Sequence, residues 1–207
     1  MDEQYYEKLL NIKTSGEQKI FNNSLHYNRY EPTSYSVLEI LSKQYNFTAE
    51  DNIVDFGCGK GRLNFYINYF FDSTVTGIEM NTFFYKEAID NKRDYLKKYK
   101  KKKDKITFLN YFAEEYKINP SDNKFYFFNP FSMQIFIKVI GNIMISIEEY
   151  ERTVDVILYF PSDDYIYFLK NNTSFVLLNE IKSSYFYNND PRHRFLVYRL
   201  DYRKNHT

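Results

Sequence analysis

The sequence of 207 residues contains one cysteine, Cys58, and no tryptophan. A single thiol excludes an intramolecular disulfide and a zinc site built from several cysteines. An excess of charge is also missing, because 28 basic residues stand against 27 acidic ones. The chain therefore lacks the basic surface of proteins that bind nucleic acid mainly by charge, and any such contact needs a local patch.

Long apolar runs are missing too. The most hydrophobic stretch, Ile135–Ile147, contains Lys138 and Asn142 and is too short to cross a bilayer. The first ten residues are acidic and polar, whereas a signal peptide begins with basic residues and continues with an apolar run. These observations predict a cytoplasmic protein without a membrane segment.

Tyrosine and phenylalanine, in contrast, are abundant and make up 20% of the sequence. Lysine, asparagine and isoleucine are frequent as well, so we attribute most of the rings to a compositional bias rather than to a stacking surface. Charged residues at 27% and hydrophobic residues at 43% are typical of a globular protein. The length favours one domain, which we place at residues 27–207 after a helical extension at residues 1–26.

Hydrophobic periodicity predicts strands that alternate with helices. Strands are expected at Asn52–Phe56, Ser73–Met80, Lys105–Asn110, Lys124–Phe128, Val154–Phe160, Phe175–Ser184 and Phe195–Asp201. Helices are expected at Asp2–Ile12, Ser15–Ser24, Ser34–Tyr45, Arg62–Phe71, Thr82–Lys98, Met133–Tyr150 and Asp163–Lys170. This order predicts an α/β fold with a mostly parallel sheet, helices on both faces and one antiparallel strand from the final strand pair.

The segment that carries chemistry is Ile53–Arg62, with the sequence IVDFGCGKGR. Asp55 lies near the end of a predicted strand, and three alternate glycines precede the next helix. Glycines allow a tight turn and let a ligand lie against bare backbone, while the helix N-terminus offers unpaired N–H groups. Glu79 ends the next strand, where its carboxylate can accept hydrogen bonds from two ribose hydroxyls. The pattern predicts a nucleoside site.

The loop does not fit a dinucleotide. The dinucleotide fingerprint requires glycine where this chain has Arg62, and nothing in the loop is specialised for a pyrophosphate. Asp55 instead lies two residues before the first glycine, where a carboxylate can meet an ammonium group. These features point to a nucleoside cofactor that carries an amino group.

The pattern resembles the first motif of class I S-adenosylmethionine (SAM)-dependent methyltransferases, and the resemblance covers about residues 27–203. It implies a Rossmann-like, seven-stranded, mostly parallel sheet with a C-terminal antiparallel hairpin, and SAM as cofactor. Glu79 would hold the ribose, and Met80 would pack against the adenine. The loop residues implied to hold the amino-acid part of SAM are Asp55, Gly57, Cys58, Gly59 and Gly61.

Two further segments are similar to nucleic-acid methyltransferases. Tyr30–Thr33 (YEPT) resembles the segment that closes over the SAM carboxylate, which implies contacts from Tyr30 and Thr33. Asn129–Ser132 (NPFS) resembles the (N/D)-P-P-(Y/F/W) motif, in which the amide and the first proline carbonyl hold an exocyclic amine. Asn129 and Pro130 are therefore expected to hold the acceptor, with Phe131 or Tyr30 packed against it, and Asn129 is also expected to contact the cofactor.

The third strand departs from the family pattern at its end. An acid often lies near the adenine amine there, but this chain has Tyr111 and Phe112. We expect these two rings or their backbone to contact the adenine instead.

Four other features are interpreted as structural. Cys58 lies inside the glycine loop, so it is expected to face SAM rather than to act as a nucleophile. The Lys97–Lys105 run is expected to be a solvated helix end, and His193 a surface-loop histidine. His26 is close to the YEPT segment in sequence, and a surface position is favoured for it over the pocket. No metal-ligand pattern is found.

The resemblance implies transfer of a methyl group from SAM to a nitrogen or oxygen acceptor, with a slight preference for RNA. A protein side chain or a small molecule is the alternative acceptor. A SAM-binding protein without catalysis is a further alternative. The sequence does not predict the oligomeric state.

Overall fold

A computed structural model describes residues 3–16 and 31–202. The helices are α1 (Glu3–Leu10), α2 (Tyr35–Gln44), α3 (Arg62–Phe71), α4 (Thr82–Lys98), α5 (Met133–Glu149), α6 (Asp163–Asn172) and α7 (Ser184–Tyr187). The strands are β1 (Asn52–Phe56), β2 (Thr74–Ile78), β3 (Ile106–Leu109), β4 (Lys124–Phe128), β5 (Thr153–Tyr159), β6 (Val176–Lys182) and β7 (Arg194–Asp201).

The strands form one sheet in the order β3-β2-β1-β4-β5-β7-β6. The first five strands along the chain are parallel, and β7 runs antiparallel between β5 and β6. The predicted Rossmann-like fold class is confirmed. The carboxyl ends of β1 and β4 meet at the centre, where ligands bind in open sheets of this kind.

Helices cover both faces of the sheet, so its central strands are almost wholly buried. One core cluster joins α1, α2 and α3 to one face and includes Leu10, Leu38 and Phe65. The other cluster joins α5 and α6 to the opposite face and includes Phe136 and Leu169. Among the described residues, no helix is both long enough and apolar enough to cross a membrane.

The N-terminal region differs in part from the expectation. α1 ends at Leu10, and Ser15 and Gly16 are not helical, so the second predicted helix does not begin at Ser15. The remainder of that prediction, with His26 and Tyr30, lies outside the described residues. The ring of Tyr6 stacks on Tyr35 of α2 with centroids 4.6 Å apart. The domain boundary at residue 26 stays a prediction.

The lysine run lies at the amino ends of the parallel strands, away from the ligand edge. Lys102 Nζ contacts Asp72 Oδ1 at 2.5 Å, and Lys105 Nζ contacts Asp72 Oδ2 at 2.6 Å. These two lysines therefore tie the turn before β2 to the turn before β3. Between β6 and β7, the chain forms the short helix α7.

Candidate functional site

The loop between β1 and α3 depends on glycine. Gly57, Gly59 and Gly61 have φ angles of 78°, 54° and 86°, a left-handed region that other residues adopt only at a cost. The amides of Gly57 and Cys58 both donate to the carbonyl of Ile78, at 2.9 and 3.1 Å. The loop is thereby fixed against the end of β2, and the backbone of Gly57 is exposed.

Two buried carboxylates lie next to this loop. Glu79 accepts hydrogen bonds from the backbone N–H of Gly59 at 2.9 Å and of Asn81 at 2.8 Å. Burial raises its pKa, and these two bonds work in the opposite direction. The hydrogen bonds set the direction of the carboxylate and leave it further lone pairs for a ligand.

Asp55 is the less satisfied of the two acids. Its side chain is 4% exposed and has no hydrogen-bond or cationic partner among the described residues. Burial, and then the charge of Glu79, raise its pKa from 3.8 to about 8. A cation placed against Asp55 would restore its charged form.

The thiol of Cys58 packs against the end of β2. The sulfur packs over Gly77 of β2, since a Cβ atom on that glycine would lie 2.7 Å from it. Burial raises the pKa of the thiol well above its ordinary value. The contact of Cys58 with a cofactor stays a prediction.

The segment before α2 reaches the same place. Thr33 Oγ1 lies 2.8 Å from the hydroxyl of Tyr126 in a buried hydrogen bond. Tyr126 is paired with Asp55 across β4 and β1, so their side chains share one face of the sheet. Thr33 is thus on the same face of the sheet as Asp55, its contact with a cofactor stays a prediction, and Tyr30 lies outside the described residues.

Arg62 was missed as a site residue. It is the first residue of α3 and is 5% exposed. Its guanidinium contacts Glu3 at 2.6 Å and Thr14 at 2.7 Å, and donates to the carbonyl of Thr33 at 3.3 Å. A cation at a helix N-terminus interacts unfavourably with the helix dipole. An arginine at this position of a predicted helix could therefore have indicated that acidic partners lie nearby. Arg62 joins α1 and the YEPT segment to the glycine loop.

The NPFS segment contacts the loop from β4. A Cβ atom on Gly57 would lie 2.8 Å from Cβ of Pro130, so the two segments are in close contact. Asn129 has a φ of 40°, which turns the chain at the end of β4. Asn129 and Pro130 are therefore brought beside the glycine loop.

The ring of Phe131 does not lie where the sequence predicts it. Its ring is 3% exposed and packs edge-on against Phe127, with centroids 6.1 Å apart. Its carbonyl accepts a hydrogen bond of 2.6 Å from the hydroxyl of Tyr165. The ring belongs to the core, so the expectation that it packs against an acceptor is wrong.

The ends of β2 and β3 form the remaining side of the site. Tyr111 and Phe112 are 51% and 47% exposed. Asn110, which was not predicted, donates to the carbonyls of Glu79 at 2.7 Å and Met80 at 3.0 Å. This amide holds the two residues in place, while the adenine contacts of Met80, Tyr111 and Phe112 stay predictions.

Solved structures share this architecture. An RNA methyltransferase from Salinibacter ruber, in complex with S-adenosyl-L-homocysteine, matches with a TM-score of 0.55 and 15% identity over 83% of this chain and 94% of its own. A putative RNA methyltransferase from Pyrococcus horikoshii matches at 0.59 and 14% over 97% and 98%. M. capricolum TrmK, also with S-adenosyl-homocysteine, matches at 0.51 and 12% over 82% and 69%.

The chain has a class I methyltransferase fold. At these identities the likeness shows the fold alone. No known protein-family pattern and no curated protein matches the sequence. Within residues 3–16 and 31–202, no group of three or more His, Cys, Asp or Glu side chains could hold a metal ion.

Proposed function

We propose that the protein is a SAM-dependent methyltransferase that acts on a nitrogen or oxygen acceptor, with RNA as the acceptor class. The observation that carries the proposal is the juxtaposition of Asp55, Glu79 and the glycine loop. SAM supplies a methyl group activated by a sulfonium sulfur. The residues of this chain supply binding and orientation.

Asp55 suits the ammonium group of SAM. A buried carboxylate without a partner is costly, and a cation offsets that cost by charge and by hydrogen bonds. The exposed backbone of Gly57 lets the amino-acid part of the cofactor approach closely.

Glu79 suits the ribose. Its two oxygens are fixed by the N–H groups of Gly59 and Asn81, and each oxygen keeps a lone pair for a hydroxyl. Met80, Tyr111 and Phe112 follow β2 and β3 and would border the adenine. Thr33 would contact the amino-acid part of SAM from the side of the YEPT segment.

The acceptor would lie at the end of β4. Asn129 follows that strand and is brought beside the glycine loop through the contact of Pro130 with Gly57. An amide there can orient a nitrogen or oxygen acceptor by hydrogen bonds. RNA as the acceptor is supported by the resemblance of the YEPT and NPFS segments and by neighbours that are described as RNA methyltransferases.

Calorimetric titration with S-adenosylhomocysteine tests the cofactor part. Asp55→Asn removes the charge and keeps the shape, so we expect affinity to fall about tenfold or more. Asp90→Asn, on the exposed surface of α4, is the matched control and should bind like the wild type. Equal affinity in Asp55→Asn would contradict the assigned role.

Methyl-labelled SAM tests the reaction. The protein is incubated with an extract of cells that lack the gene, and the products are separated into nuclease-sensitive, protease-sensitive and small-molecule fractions. Label in the nuclease-sensitive fraction supports RNA, and label in another fraction identifies a different acceptor. Asn129→Ala should lose turnover while keeping its affinity for S-adenosylhomocysteine. Binding without label in any fraction would favour a non-catalytic SAM-binding protein.

A further inference from the structure

The NPFS segment does not present its own aromatic ring, but other rings lie at the same edge of the sheet. Phe128 ends β4 and Phe160 follows β5, the neighbouring strand, and their centroids are 6.3 Å apart. Both are partly exposed. Because β4 lies between β1 and β5, the turn that contains Phe160 is on the opposite side of β4 from the strand that leads into the glycine loop.

Two residues at this edge have a left-handed backbone conformation. Asn129 has a φ of 40° and Phe160 a φ of 50°. Asparagine tolerates the left-handed region, but a phenylalanine there is an outlier. The amide of Phe160 donates to the carbonyl of Arg194 at 3.2 Å, which ties this turn to β7. Strained residues persist where the surroundings fix them, and they cluster at functional sites.

His193 lies in the loop before β7, is partly exposed, and is held in the same group of rings. Its Nδ1 atom is 3.0 Å from the hydroxyl of Tyr159, the last residue of β5. Its ring lies 4.8 Å from that of Phe160. Its carbonyl accepts hydrogen bonds from the N–H of Ser183 at 3.1 Å and from the Ser183 hydroxyl at 2.7 Å. Both the backbone and the ring of His193 are therefore positioned.

The second ring nitrogen, Nε2, has no hydrogen-bond partner among the described residues. Whether it donates or accepts depends on the proton shared by Nδ1 and Tyr159, so it can meet either kind of group. Burial raises the pKa of the Tyr159 hydroxyl, and the charge of the nearby Glu31 raises it further. Polar groups from the YEPT segment, β5 and the turn before β7 thus converge here.

We propose that His193 and Phe160 form the acceptor-binding side of the site and that they take an unpaired nucleobase of RNA. This inference rests on the proposed function. The guanidinium of Arg192 lies over the ring of Phe160, 4.4 Å from its centroid, and a flat base can stack on the outer side of this guanidinium or on the ring of His193. Its polar edge can then meet Nε2 of His193 and the amide of Asn129. In double-stranded RNA, stacking covers the faces of the bases and pairing covers their Watson–Crick edges, so the base must be unpaired.

Binding of a fluorescent base tests this. The protein is saturated with S-adenosylhomocysteine, so that the probe cannot enter the cofactor site. A short single-stranded oligoribonucleotide with one 2-aminopurine, whose emission falls on stacking, is then titrated, with the matching duplex in parallel. We expect saturable quenching by the single strand and at least about tenfold weaker binding of the duplex.

Four variants locate the base. Phe160→Asn keeps a residue suited to positive φ but removes the ring, and His193→Ala removes both ring and Nε2; each should weaken binding about tenfold. His193→Gln places an amide where Nε2 was and should recover part of the affinity. Tyr167→Ala, on α6 and 67% exposed in the wild type, is the matched control and should change nothing.

The outcomes separate this inference from the proposed function. Quenching that is absent, or unchanged in both Phe160→Asn and His193→Ala, would overturn the inference while S-adenosylhomocysteine binding still stands. Failure to bind S-adenosylhomocysteine in calorimetry would instead overturn the proposed function. Equal quenching by single strand and duplex would contradict the unpaired base.

Discussion

At the amino end of the parallel sheet the buried carboxylate of Asp155 lies among cations, whereas at the carboxyl end Asp55 lies beside a second carboxylate. Arg199 contacts both oxygens of Asp155, at 2.7 and 2.8 Å, Lys124 contacts one at 3.1 Å, and Tyr45 donates to it as well. Burial works to raise the pKa of Asp155, but these partners outweigh it and the pKa is lowered.

The difference in partners distinguishes a carboxylate with a structural role from one that is available to a ligand. A buried carboxylate whose cationic partners come from the chain itself has no hydrogen-bonding capacity left for a ligand, so its role is structural. A buried carboxylate without a cation is costly until a ligand supplies one. Replacement of aspartate by asparagine is therefore expected to have opposite effects on stability at the two ends of the sheet.

The largest expected effect is at the amino end. Asp155→Asn leaves Arg199 without its carboxylate and Lys124 with only Asp51, 3.5 Å away, so the free energy of unfolding should fall by about 3 kcal/mol at pH 7. Because the folded pKa lies below the ordinary value of 3.8, this stabilisation is present above that value and is lost as the pH falls through the folded pKa. Urea unfolding at pH 7 measures the loss of stability in the variant, and urea unfolding below pH 4 measures how far this loss disappears on acidification.

A matched control for Asp155 is the exposed Asp94 on α4, which pairs with Lys97. Asp94→Asn should unfold at the same urea concentration as the wild type, because solvent screens that pair. If both aspartate substitutions behave alike, the contrast between buried and exposed carboxylates fails.

Asp55→Asn should raise the free energy of unfolding, whereas Asp155→Asn should lower it. In the ligand-free protein it removes an unpartnered buried acid, so stability should rise by about 2 kcal/mol at pH 8. The folded pKa of about 8 exceeds the ordinary 3.8, so the folded state holds a proton that the unfolded state releases, and wild-type stability falls as the pH rises between these values. The gain from Asn should therefore grow from pH 5 to pH 8, and a gain independent of pH would count against this account.

Glycine substitutions sharpen the comparison at the carboxyl end. Gly57→Ala should lower the free energy of unfolding by about 1–2 kcal/mol, because its φ is 78° and a Cβ would lie 2.8 Å from Cβ of Pro130. Gly141→Ala in α5 meets nothing within 4 Å and should raise stability by about 0.5–1 kcal/mol. Thermal unfolding of both variants checks the opposite signs, and a neutral Gly57→Ala would show that the loop is free to move.

The smallest effect is expected at Asp72, where the carboxylate is half exposed. Asp72→Asn suits the positive φ of 58° but removes the charge that Lys102 and Lys105 contact. Solvent screening limits the loss to below about 1 kcal/mol, and it should shrink further in high salt. Urea unfolding at low and high salt measures it. A loss as large as that of Asp155→Asn would mean that exposure is not what separates these carboxylates.

Much of the site could be predicted because its signals are local. The glycines, Asp55 and Glu79 stand at the ends of two successive strands, and the carboxyl ends of parallel neighbours meet at one edge. Thr33 and Pro130 could be placed near this edge for a similar reason, since each lies next to the boundary of a helix or strand.

The error at Phe131 concerns the direction in which a side chain points. Phe131 follows Pro130 in a turn, where no periodicity assigns a face, and its ring enters the core beside Phe127. The contact of His193 with Tyr159 could not be predicted either, because Tyr159 belongs to a strand far away in the sequence.

The sequence by itself determined the alternation of strands and helices, the need for glycine between β1 and α3, and the two acids at the ends of β1 and β2. These follow from periodicity and from backbone sterics, which act over a few residues. Only the tertiary structure decided that Arg62 joins α1 to the loop, that Asp155 is surrounded by cations and Asp55 is not, and that His193 meets Phe160. Such contacts depend on which distant strands become neighbours, and that is set by the packing of the whole sheet.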